Sequence, residues 1–85
     1  PYTTLFRSSA AATALGESSD GRAVEPLVRA LQDPVWSVRA AAASALGALG
    51  DARAIPALES ATDDIDLAVA RRAEAALHQL RVQLA

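Results

Sequence analysis

The apolar positions of the chain fall into four blocks, each with the spacing of a helix face. In the first they are Val24, Leu27, Val28 and Leu31, at i, i+3, i+4 and i+7. In the second they are Val38, Ala41, Ala42, Ala45, Leu46 and Leu49. The third has Ile55, Leu58 and Ala61, and the fourth Leu67, Val69, Ala73, Ala76, Leu77, Leu80 and Leu84. The pattern predicts helices over about 22–32, 34–49, 53–62 and from just after residue 64 to near the last residue. A shorter stretch, 9–15, reads as the tail of a further helix of the second kind.

Polar and special residues punctuate these blocks. Asp20, Asp33, Asp51 and Asp64 each precede a predicted helix, where a carboxylate accepts backbone N–H groups of the first turn. Asp33 is expected as N-cap with Pro34 as the first helical residue, a position that has no use for the missing N–H. Asp66 stands beside the positive end of the last helix. Pro56 has to lie in a first turn, because deeper in a helix it would cost ~3 kcal/mol. Gly47 and Gly50 are expected to mark the end of the second helix, where a left-handed residue is needed. The last block lacks such glycines and is expected to run longer.

The blocks recur. Shifted so that Asp20 falls on Asp51, the sequence matches itself at 18 of 54 overlapping positions. Ala10-Ala11-Ala12-Thr13-Ala14-Leu15-Gly16 then falls on Ala41-Ala42-Ala43-Ser44-Ala45-Leu46-Gly47, and Arg22, Leu27, Ala30 and Asp33 fall on Arg53, Leu58, Ala61 and Asp64. The chain therefore reads as a partial repeat (9–19), a repeat (20–50) and a C-terminal repeat (51–85), each full unit a pair of helices. A pair of this kind hides its apolar face only against its neighbours. The predicted fold is all-α: an α-α superhelix, or solenoid, of two full helix pairs and a preceding partial helix. Alanine supplies 22 of the 85 residues, and such small side chains allow facing helices to approach closely.

Composition narrows the function. With no cysteine there is no disulfide framework, thiolate metal site or cysteine nucleophile. The formal charge is −2 and lysine is absent, so nucleic acid is not an expected partner. The longest apolar run, 40–50, is too short to span a bilayer, and no secretory signal is visible. A cytoplasmic location is favoured. There is no methionine, and the opening PYTTLFRS resembles a reading-frame translation of a sequencing adapter. Residues 1–8 are accordingly read as a non-native scar, and 9–85 as a C-terminal fragment of a longer protein. Such a short array is expected to be marginally stable, to fray first at 9–15 and to self-associate weakly through its truncated end.

The run Asp33-Pro34-Val35-Trp36-Ser37-Val38-Arg39, followed by Ala45-Leu46-Gly47 and by Gly50-Asp51-Ala52-Arg53-Ala54, resembles the HEAT repeat, and within it the short bacterial type named after the phycobilisome lyases. The resemblance extends over 9–85. It departs at Glu17-Ser18-Ser19, which stand where the next unit has Ala48-Leu49-Gly50, and at Ala70, which stands where the preceding unit has Arg39. It implies a solenoid whose second helices line a concave side that binds other macromolecules. In that family some members are bilin lyase subunits, and others are iron-dependent hydroxylases that use histidine-glutamate pairs.

No constellation for catalysis emerges, and no cofactor or metal is implied. His78 is the only histidine, and Glu74, one helical turn earlier, shares its face. Two ligands do not make a metal site, and a solvated face explains them. Arg22 and Arg53, two places after their caps, are expected to form a salt bridge or hydrogen bond to a neighbouring loop, with anion binding as the alternative. Arg39, Arg71, Arg72 and Arg81 lie on the second helices, as solvated surface or as a basic strip facing an acidic partner. For Trp36, the only tryptophan, the resemblance favours packing against the preceding first helix or an adjacent loop; exposed at the rim, it would instead be a binding anchor. The candidate partner-binding residues are Trp36, Arg39, Arg71 and Arg72. The leading expectation is a non-enzymatic scaffold that binds a protein partner, with no membrane contact. The alternative is a piece or subunit of a bilin lyase-type or hydroxylase-type enzyme with its chemistry elsewhere.

Overall fold

A computed structural model describes residues 21–84. A 3-10 turn, Gly21–Ala23, leads into α1, Val24–Ala30. Helix α2 spans Trp36–Leu49. A second 3-10 turn, Ala52–Ala54, leads into α3, Ile55–Ala61, and α4 spans Leu67–Leu84. Each element of the first unit thus starts again one period later, Gly21 at Ala52, Val24 at Ile55 and Trp36 at Leu67, and no strand occurs among the described residues. The expected scar (1–8), partial repeat (9–19), fraying segment (9–15) and Asp20 cap lie outside the described residues.

The first helices of the units are shorter than their apolar blocks suggested. Their opening turns are 3-10 and their last residues unwind through tight turns. Asp33 N–H donates to the Ala30 carbonyl at 3.1 Å, and Asp64 N–H to the Ala61 carbonyl at 3.1 Å. Pro56 lies in the first turn of α3, where it removes no helical hydrogen bond.

The starts of the second helices correct the sequence reading. Asp33 Oδ1 accepts the N–H of Val35 at 2.9 Å and so shapes the turn before α2. The N-cap is Val35 in an extended conformation, whose carbonyl accepts from Val38 and Arg39. Pro34 therefore precedes the helix. In the second unit Asp64 Oδ1 takes the Asp66 N–H at 2.8 Å, while Asp66 Oδ1 takes the Ala68 N–H at 2.9 Å. Asp66, not Asp64, caps α4. In both units the first aspartate forms the turn, and the helix begins only beyond it, at Trp36 and at Leu67.

Gly50 closes α2 with φ 71°, the left-handed conformation that glycine adopts without steric cost. Gly47 does not mark an end. It is buried inside α2, where a β-carbon would lie 2.9 Å from the Ala76 β-carbon of α4.

Among the described residues α2 is the central helix. Val38, Ala40, Ala41, Ala42, Ala43, Ala45, Leu46 and Gly47 are all buried, so its apolar surface is not one stripe. It packs on α1 and, most extensively, on α4, which also packs on α3. The α2–α4 neighbours ascend together, from Ser44–Arg72 through Gly47–Ala76 to Gly50–Gln83, so the two helices run parallel. Leu27, Leu46, Leu58, Leu80 and Val69 are the largest fully buried side chains, and no charged or polar residue is buried among the described residues. Leu67 and Leu84, expected inside, are exposed. Leu67 is the first residue of α4, and Leu84 lies past Gln83, which already meets the C-cap of α2.

Candidate functional site

Arg39 projects from the first turn of α2 into the space between the two inter-helix turns. Its Nε donates to Asp64 Oδ2 at 2.8 Å and its Nη2 to Asp64 Oδ1 at 3.1 Å. Its Nη1 donates to the carbonyls of Asp33, at 2.8 Å, and Pro34, at 3.1 Å. Both side chains are largely covered, at 14% and 12% exposure. A two-pronged pair of this kind fixes direction as well as distance. The ion pair holds the Asp64 carboxyl below the usual carboxylate range, and the contact raises the Arg39 guanidinium. Of the four candidate binding residues, Arg39 thus has a structural role, tying the turn of one unit to the turn of the next.

Arg53 forms a second tie. Its backbone N–H, Nε and Nη2 all donate to the Asp51 carboxylate, and Nη2 also reaches the Gly21 carbonyl of the preceding unit at 3.2 Å. The expected bond from Arg53 to a neighbouring loop is present. The side chain and backbone N–H of Arg53 bring the Asp51 pKa down to about 2.

Trp36 and Arg71 are exposed, and Arg72 lies over the α2–α4 seam with its Nη1 2.9 Å from Ser44 Oγ. Trp36 keeps 52% of its surface accessible at the start of α2. The rest of its surface is covered, and Trp36 is not part of the buried core. Glu74 and His78 are exposed on α4, and no group of three or more His, Cys, Asp or Glu that could hold a metal converges among the described residues.

Three further exposed apolar residues, at or just before the starts of α2 and α4, are features that sequence reasoning missed. Val35 and Leu67 are exposed, and Ile65 is 98% exposed. The period contained the signal: the shift that sets Asp20 on Asp51 also sets Pro34 on Ile65 and Trp36 on Leu67. Because α2 and α4 run parallel, these residues lie at the same end of the two helices. The result is an apolar edge beside the Arg39–Asp64 tie. Next to it, Ser37, Ala41, Ser44 and Ala48 share one face of α2 by their spacing, as do Arg72, Ala75 and Gln79 on α4.

Among the described residues no helix is long and apolar enough to cross a membrane. The model of the HEAT-repeat family matches residues 7–78. No curated protein matches the chain.

Proposed function

The chain belongs to the HEAT-repeat family, and on that premise we propose that it is a non-enzymatic scaffold that binds a protein partner on the surface formed by α2 and α4. HEAT repeats generally serve as protein-interaction scaffolds. One observation carries the reading. Trp36 and Leu67, at matching positions of the two units, remain solvent-accessible while the aliphatic residues behind them are closed into the core. Exposed aromatic and apolar residues clustered on a rigid support are the usual anchors of an interface. Arg72 adds positive charge at the α2–α4 seam and Arg71 on the adjoining outer face of α4, which suits a partner carrying acidic groups. In this reading Arg39 positions the edge and does not touch the partner.

The test is affinity capture with the native chain and with Trp36→Ala/Arg71→Ala/Arg72→Ala, with helicity matched by circular dichroism. The reading expects a protein retained by the native chain and lost by the variant. Equal capture by both, or turnover of a substrate by the purified chain, contradicts it.

A further inference from the structure

The two units are alike in fold but not on the side that faces away from residue 21. On α2 that side carries Ala40, Ala43 and Gly47, all buried, with Gly50 one turn on. It is the side that meets α4, since a β-carbon at Gly47 would touch Ala76 and one at Gly50 would touch Gln83. One period later the same positions on α4 are Arg71, Glu74, His78 and Arg81, and all four are exposed. On the first helices, half-buried Val28 becomes exposed Glu59. Glu59 and Arg81 face each other across the α3–α4 groove, with Arg81 Nη2 3.3 Å from Glu59 Oε2. The tie between units is also missing. Arg39 grips Asp64 of the next unit, but its counterpart on α4 is Ala70, which has no group to grip with.

We infer that residues 52–84 form a capping unit, whose outer α3–α4 face closes the stack and does not accept a further helix pair of this kind. Helices of the stack pack through alanine and glycine at close range. Another pair seated here would strip water from Arg71, Glu74 and His78 with no partner groups provided, and would have to displace the Glu59–Arg81 pair. A polar outer face is what a terminal unit of a repeat array needs for solubility. The array therefore does not extend past this face, whatever partner it binds.

The chain extended after Arg81 by a further copy of residues 20–50 keeps the repeat in phase and tests this. One version is native up to the junction; the other carries Glu59→Val, Ala70→Arg, Arg71→Ala, Glu74→Ala, His78→Gly and Arg81→Gly, the residues of the preceding unit. In the native version the urea midpoint should match that of the parent chain, and the added helices should show no amide protection. In the reverted version the midpoint should rise and the added helices should become protected. Protection of the added helices in the native version, equal to that of α2, would overturn the inference. So would a folded reverted version whose added helices stay unprotected. If the reverted version does not fold, exchange in the native version still decides.

Discussion

Gly47 and Ala76 meet at the crossing of α2 and α4 so closely that a β-carbon on Gly47 would lie 2.9 Å from the Ala76 β-carbon and 3.0 Å from its α-carbon. The second of these atoms is backbone, so no rotamer change makes room. Gly47→Ala should therefore be destabilising, although on an exposed helix the same change gains about 1 kcal/mol from propensity. Overpacking should outweigh that gain, for a net loss of roughly 1–2 kcal/mol. The urea midpoint measures it, and a rise in midpoint would contradict the packing described.

The Arg39–Asp64 pair predicts strong coupling. Each single change, Arg39→Ala or Asp64→Ala, leaves a largely covered charge without its partner. The loss should be roughly 2–3 kcal/mol, just below the range for breaking a fully buried pair. The double variant should lose much less than the sum, and a double-mutant cycle measures the difference. Simple additivity would mean that the pair does not join the units.

The same pair sets a pH dependence. The folded-state pKa of Asp64 is lowered, as is that of Asp51, which falls to about 2. A depressed folded pKa contributes stability that is present above the unfolded carboxylate value, near 4, and lost as pH falls through the folded value. The urea midpoint should thus decline between about pH 4 and pH 2 through these two groups. Asp64→Asn should lower stability at neutral pH and flatten part of that decline. An undiminished decline in the variant would contradict the assignment.

Trp36, half exposed, should tolerate truncation. Trp36→Ala is expected to cost about 1 kcal/mol or less, against roughly 3–5 kcal/mol for a core aromatic. As the only tryptophan, it reports its own surroundings: its emission should be red-shifted and open to a soluble quencher. A blue-shifted, protected emission would place it in a core.

Much of the fold was legible because its period is long and its units are written twice. The spacing of Val24, Leu27, Val38, Leu46, Leu58 and Leu77 located four helices, and Gly50 located the end of one. What stayed illegible were choices that depend on a neighbour. Asp33 and Asp64 have the sequence context of N-caps, yet each bonds a turn N–H two places on. The helices start later, at Trp36 and Leu67. Gly47 looks like a terminator until α4 is laid across it. Alanine rows do not say which of their faces will be covered, and so α2 appeared one-sided when it is buried almost all round. Of the candidate site, the exposure of Arg71 and the bond from Arg53 to the neighbouring unit follow expectation. The role of Arg39 needed the position of Asp64 in space, and the apolar edge needed the parallel direction of α2 and α4.

The central claim is that two units of one shape stack with α2 alongside α4 in the register set by Gly47 and Ala76. Proton NMR on the intact chain tests it most directly. The account predicts a strong nuclear Overhauser effect between the Gly47 α-protons and the Ala76 methyl, with weaker ones linking Ser44 to Arg72 and Gly50 to Gln83. If the Gly47 α-protons instead show contacts only within α2, or with residues outside α4, the stacking described here is contradicted.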